Sequence, residues 1–196
     1  HNEKVFFMRV FITLLILILT LQSSIKADDI KDFEIEGITI GDSLLLHLEK
    51  NKIEKINKLN KKIKYARAFI EENLKTYDYI QVWFLDNDKN FIISALAGEI
   101  DFPNNIDECK IKQKQIVEEI KLIFSDLKYD EDETKNMHDK TGKSITFHKF
   151  FEFKNGDFIN IQCYQYSKEY NSIDHLKVVI GTKVFDDHYA EVKNSN

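Results

Sequence analysis

Phe33, Ile35, Ile38 and Ile40 are set against Glu34, Glu36 and Thr39, so the pattern predicts a short strand or extended arm over 32–40. Gly41 ends that run, and Asp42 is placed to cap a helix starting at Ser43. Leu44, Leu45, Leu48, Ile53, Ile56 and Leu59 continue at helical spacing, with Asn51-Lys52 as the point where such a helix would split in two. Strands are predicted over 64–71 and 77–85. The second is apolar on both faces, as in a central strand. Asp86 to Lys89 reads as a turn into a strand over 90–102, making a hairpin. Pro103 and Asn104-Asn105 open the clearest helix, 106–124.

Residues 126–143 read as a polar loop carrying the run Asp130-Glu131-Asp132-Glu133. A second hairpin, 144–153 with 157–166, turns at Asn155-Gly156. A last strand follows over 174–183, then a short helix or frayed tail over 186–196. About six strands joined by hairpins, with two or three helices, predict a single α+β domain. Its antiparallel sheet would carry the helices on one face.

The N-terminal pattern is different. Met8-Arg9, the apolar run Val10 to Leu21 and the small residue Ala27 match a secretory signal peptide over 1–27, with 1–7 upstream of the true start. A membrane span needs roughly 20 apolar residues, and no later run is that long. Without Lys4, Arg9, Lys26 and Glu3, the remaining 169 residues (28–196) hold 25 basic and 32 acidic side chains, a formal charge of −7. This acidic balance argues against a nucleic-acid partner. A 43% hydrophobic content is enough for a core. Arginine occurs only at positions 9 and 67, against 26 lysines and 26 isoleucines, so bidentate recognition of phosphate or carboxylate by arginine is almost ruled out.

Export gives the two cysteines a role. Cys109 falls on the helix face of Ile106, Ile116, Ile120 and Phe124, and Cys163 shares a strand face with Ile159 and Ile161. Both point to a core, and an even count in an oxidising compartment predicts a disulfide between them. The alternative is a pair of buried thiols.

Candidate chemistry is sparse. Ile40-Gly41-Asp42-Ser43-Leu44 resembles the nucleophile block of the GDSL esterase and lipase family. The resemblance would make Ser43 a nucleophile, with His175 or His188 as the base it needs. That family's Asp-x-x-His and Gly-x-Asn-Asp blocks are absent, since His175 directly follows Asp174 and His188 directly follows Asp187. Capping is therefore the favoured role of this segment. Thr141-Gly142-Lys143-Ser144 is like the tail of a P-loop, but Met137 stands where the first glycine is needed, and the segment reads as a loop. Asp86 to Asn90 imitates half an EF-hand loop without the glycine or the closing glutamate, and reads as a turn. The acidic run at 130–133 is the one candidate for weak calcium binding. His47, His138, His148, His175 and His188 form no ligand pair by spacing. Tyr164, Tyr166 and Tyr170 with Trp83 are candidates for a groove, though strand packing is the commoner use of such residues.

The segment 32–45, Glu108-Cys109, Gly142-Lys143-Ser144, Cys163 and Asp174-His175-Leu176 together resemble a group of small exported proteins of uncharacterised function from AT-rich marine bacteria. The resemblance implies export and one domain, and brings no activity with it. The expectation is thus a non-enzymatic exported domain, periplasmic or secreted, that binds a partner or supports the envelope. It carries no cofactor or metal, no nucleic acid and no membrane span after cleavage. The rival readings are a small esterase using Ser43 and a calcium- or solute-binding module on 126–143.

Overall fold

A computed structural model describes residues 29–56, 63–124, 126–136 and 138–194. The predicted signal peptide and Met137 lie outside the described residues, as does Leu59 of the helical pattern. Among the described residues, no helix is long and apolar enough to cross a membrane.

The fold is α+β. Among the described residues, the nine strands are β1 (Glu34–Ile35), β2 (Ile38–Thr39), β3 (Tyr65–Ile70), β4 (Tyr79–Leu85), β5 (Ile93–Asp101), β6 (Lys128–Lys135), β7 (Ile145–Glu152), β8 (Phe158–Gln165) and β9 (His175–Gly181). Three α-helices are α1 (Lys50–Ile53), α2 (Ile106–Ile123) and α3 (Lys183–Asn194). β1 and β2 form a small hairpin. The other seven make one antiparallel sheet in the order β3-β4-β5-β9-β8-β7-β6. Two meanders, β3 to β5 and β6 to β9, are linked by α2 and meet where β5 pairs with β9.

Alternation gives the sheet two different faces. The first carries Ile80, Val82, Phe84, Leu96, Ile159, Ile161, Leu176, Val178 and Ile180, all nearly or fully buried. Onto it pack Ile116, Val117 and Ile120 of α2 and the N-terminal Ile30, Ile35, Ile38 and Leu44. Asn105 caps α2, its side chain accepting from the Glu108 N–H at 3.2 Å. Cys109 of α2 and Cys163 of β8 form the predicted disulfide, with Cα atoms 6.0 Å apart and both side chains fully buried. One turn further on, Gln113 donates to the carbonyls of Phe147 at 2.9 Å and Ile161 at 2.8 Å. The helix is therefore tied to β7 and β8 covalently and by polar bonds.

The second face is covered at one corner only. There Phe185 of α3 packs on Tyr65 and Trp83, with ring centroids 5.0 and 5.7 Å apart. The cross-strand row Trp83, Ala95, Gly181, Phe158 runs large, small, small, large. A Cβ at position 181 would lie 2.8 Å from the Phe158 ring, so glycine makes room for that aromatic. The one-face expectation thus describes α2, while α3 takes the other side.

Four local expectations change. The sheet has seven strands rather than about six, because 126–143 is not all loop: β6 pairs with β7 along its whole length. β6 has no apolar alternation because it is an edge strand exposed on both faces. It is held by backbone pairing and by cross-strand contacts such as Lys128 Nζ to Glu152 at 3.0 Å and the Tyr129 ring on Phe151 at 5.0 Å. The helix expected from Ser43 is a 3₁₀ turn, Leu44–Leu46, followed by α1, with the break at 47–49. Asn51 and Lys52 lie inside α1. The break falls where Glu49 takes an extended backbone conformation at the start of α1, while the Leu44 N–H donating to the Phe91 carbonyl at 3.0 Å and the Ser43–Ile92 bridge anchor the entry to the turn.

Asp42 does not cap this turn. Its carboxylate accepts from the Thr39 N–H at 3.2 Å, and Ser43 caps instead, accepting from the Leu45 N–H at 3.3 Å. Finally, α3 begins at Lys183 rather than Asp186, because Asp157 accepts the Lys183 N–H at 2.9 Å and Thr182 accepts the Phe185 N–H.

Closing a 54-residue separation stabilises the fold by about 4 kcal/mol in the chain-entropy description. Replacing Cys109 and Cys163 together with alanine is expected to lower unfolding free energy by that order. Urea titration of the oxidised protein and the variant measures it, and a difference below about 1 kcal/mol would remove the disulfide from the main supports of the fold.

Candidate functional site

Away from the α3 corner, the second face carries a band of polar and aromatic side chains. Strand register builds it. Tyr79, Glu99, Lys177, Gln162, His148 and Asp132 stand opposite one another in turn across β4, β5, β9, β8, β7 and β6. With Arg67 of β3 bonded to Gln81 of β4, the band reaches all seven strands.

Glu99 is its centre. The residue is only 2% exposed, although it lies on the less covered face. One carboxylate oxygen accepts the Tyr79 hydroxyl. The other accepts the Gln81 side-chain N–H and lies 2.8 Å from Lys177 Nζ. His175 Nε2 is 3.8 Å from the first oxygen. Gln81 in turn accepts from Arg67 Nη1 at 3.3 Å. A buried carboxylate demands such partners, because an uncompensated charge there would cost several kcal/mol.

A second chain of bonds runs the other way. The Tyr164 hydroxyl donates to Gln162 Oε1 at 2.7 Å. Gln162 Nε2 faces His148 Nδ1 at 3.4 Å, and His148 Nε2 faces the Thr134 hydroxyl at 2.8 Å. An amide donor at Nδ1 assigns the proton of the neutral ring to Nε2. The two chains meet where the His175 ring stacks on Tyr164 at 4.5 Å. Tyr164, Tyr166 and Tyr170 continue as a near-parallel ladder with centroid spacings of 6.1 and 5.3 Å.

Burial and neighbouring groups keep the Tyr79, Tyr164 and Tyr166 phenols protonated. Tyr79 is raised well above the ordinary phenol range, first by burial and then by its bond to the Glu99 carboxylate. Tyr164 is raised chiefly by burial. Tyr166 is pushed up to about 12 by burial and by Tyr170, Glu99 and Asp174. The band therefore offers neutral hydroxyl and amide groups around an internally paired charge. Both Glu99 oxygens are already engaged by these neighbours.

The sequence candidates fall elsewhere or are divided. Trp83 is buried under α3, with Lys177 Nζ 5.6 Å from its ring centre, and the tyrosine ladder forms without it. Ser43 donates its hydroxyl to the Asn90 carbonyl at 2.6 Å. It bridges Ile92 before the start of β5, whereas His175 pairs with Asp101 at the strand's far end. Nine strand positions separate the two, or roughly 30 Å. His188 Nε2 accepts the Lys64 N–H at 3.0 Å. Neither histidine is thus placed as a base beside Ser43. In β6, Asp130 and Asp132 project to one face and Glu131 and Glu133 to the other, so the acidic run does not converge on an ion. Among the described residues, no three His, Cys, Asp or Glu side chains are arranged to hold a metal.

Two motif-like segments are turns, as expected. The Asp88 carboxylate accepts the N–H groups of Asn90 and Ile92, each at 2.9 Å. Thr141-Gly142-Lys143-Ser144 wraps around the buried Asp139, which accepts the Ser144 hydroxyl at 2.6 Å, the Thr141 hydroxyl at 2.7 Å and the Ser167 hydroxyl at 2.9 Å. The amides that would cradle a phosphate are thereby turned onto an internal carboxylate.

Gln81, Glu99 and Lys177 were not singled out by sequence. Their signal is a polar residue within a strongly apolar strand, as in Ile80-Gln81-Val82 and Ala97-Gly98-Glu99-Ile100. Comparison with family models, curated proteins and solved structures finds no match to this chain.

Truncating Glu99 to alanine strands Lys177 and is expected to destabilise the fold by roughly 3 kcal/mol. Adding Lys177→Met should recover part of that loss. Equilibrium unfolding of both single variants and the double variant tests this, and strict additivity would mean that the pair is not coupled.

Asp139 is held well below the ordinary carboxylate range, first by the Ser144 hydroxyl and then by the Thr141 and Ser167 groups. A depressed folded-state value stabilises the protein above the unfolded value, about 4, and the contribution disappears as pH falls below that. Asp139→Asn should therefore be less stable at neutral pH and lose less on acidification. Thermal unfolding from pH 7 to 3 gives the comparison. Parallel wild-type and variant curves would contradict the assignment.

Proposed function

We propose that this is an exported, disulfide-closed domain that acts by binding, in the periplasm or outside the cell, through the band on its second sheet face. The observation carrying this reading is Glu99. A carboxylate buried on an incompletely covered face, locked by Tyr79, Gln81 and Lys177, organises a surface whose outer part is a stack of tyrosines. Such a network rigidifies hydroxyl and ring positions before any partner arrives, which lowers the entropic cost of association. Tyrosine suits that surface because it presents large area at little rotamer cost. The signal-peptide pattern and the bridged cysteines support export, since structural disulfides persist in oxidising compartments.

Two measurements test the reading. Mass spectrometry of the unreduced product from the exported fraction should find a chain beginning after Ala27 with no free thiol. Full-length protein retained in the cytosol with both cysteines alkylated would exclude export. For the face, the wild type and a Tyr166→Ala/Tyr170→Ala variant of equal thermal stability would be immobilised against the exported protein and solute fraction. A partner held by the wild type and lost by the variant is expected. Equal retention by both would move binding off this face.

A further inference from the structure

β6 is a hazard by position. It closes one end of the sheet, its eight residues pair with β7 on one side only, and 130–135 are all exposed. An edge of that length is a template for another strand, and the most abundant strand of matching length and twist is the same edge of a second copy. Two copies related by a twofold axis would pair antiparallel and extend the sheet through this edge.

The sequence of β6 opposes that pairing in the three registers that would pair the most residues. In the full-length register, Lys128 meets Lys135, Asp130 meets Glu133, and Glu131 meets Asp132. Twofold symmetry repeats each contact, giving four carboxylate–carboxylate and two lysine–lysine oppositions. Shifting by one residue in either direction sets Glu131 against itself and Asp130 against Asp132, or Asp132 against itself and Glu131 against Glu133. Further shifts pair six residues or fewer, and there each acidic opposition is accompanied by a lysine–carboxylate pair, such as Lys128 with Glu133 or Asp130 with Lys135, so the charges penalise the three longest registers. Like charges directly opposite in an antiparallel pair are destabilising.

Within its own sheet β6 meets complementary partners instead. Lys128 pairs with Glu152 at 3.0 Å, and Glu131 bonds Lys149 of β7. The charge pattern thus supports the intramolecular neighbour while penalising the intermolecular one.

We infer that the Asp130–Glu133 run is a guard that bars a second copy of this chain from extending the sheet along β6. This assigns a purpose to an acidic segment whose alternating side chains do not converge on an ion and of which only Asp132 belongs to the band centred on Glu99. It is independent of the binding reading above.

The test is self-association of three proteins by sedimentation equilibrium at matched concentrations. Asp130→Asn/Asp132→Asn/Glu133→Gln removes every carboxylate–carboxylate opposition of the full-length register while leaving Glu131 bonded to Lys149. Asp130→Glu/Asp132→Glu/Glu133→Asp changes shape and keeps charge. The neutral variant is expected to self-associate about tenfold more tightly than wild type, with new amide-exchange protection over 129–135. The charge-keeping variant should behave as wild type. Circular dichroism and thermal unfolding establish that all three are folded. Equal monomer content of folded neutral variant and wild type would overturn the inference. So would association of the neutral variant without protection of β6, or a wild-type dimer already protected there.

Discussion

The pairing of β5 with β9 is the constraint on which the rest of the molecule depends. Seven residue pairs, from Ala95 with Gly181 to Asp101 with His175, join an N-terminal meander to a C-terminal one more than seventy positions away. Without that seam there would be two small sheets, neither wide enough to cover α2 or to be covered by it. The seam also sets the chemistry, since it places Lys177 opposite Glu99. Long-range pairing carries a large loop-closure cost. The Cys109–Cys163 bridge offsets part of it by holding α2 to the C-terminal meander from the covered side.

From the seam outward, the two faces solve different problems. The first is an apolar core in which residues of six adjacent strands meet α2 and the N-terminal isoleucines. On the second, α3 covers one corner through Phe185, and polar residues occupy the sheet beyond it. Burial still reaches Glu99, because Tyr79, Gln81 and Lys177 close over it. A charged group in that position is tolerable only when every lone pair is directed, so the band is stiff for the same reason that it is polar. Towards β6 the charges are no longer buried, and their arrangement answers to solvent and to neighbouring molecules.

Much of the architecture was legible in the chain. Strands β3, β4, β5, β7, β8 and β9, the helix starting at Ile106, both hairpin turns and the bridge between Cys109 and Cys163 follow from periodicity, turn chemistry and side-chain direction, whereas the stretch expected as one strand or arm over 32–40 is folded into the β1–β2 hairpin. β6 was not legible, because an edge strand exposed on both faces has no apolar alternation to display. The segment after Ser43 is divided where its leucine spacing predicts a longer helix, because that spacing cannot report the extended backbone at Glu49. Serine and histidine likewise sit beside motif-like neighbours, whereas Glu99 in the nine-residue apolar strand β5 matches no motif.

What the chain determined by itself is local: which positions prefer strand or helix, where the turns fall, and which faces are apolar. These follow from interactions a few residues apart. Tertiary structure alone decided which strands became neighbours, and with them the partners of Glu99, the separation of Ser43 from His175 and the location of the acidic run on an open edge. Such distances depend on register between segments remote in sequence, and register is set only when the whole sheet has found its mutual packing.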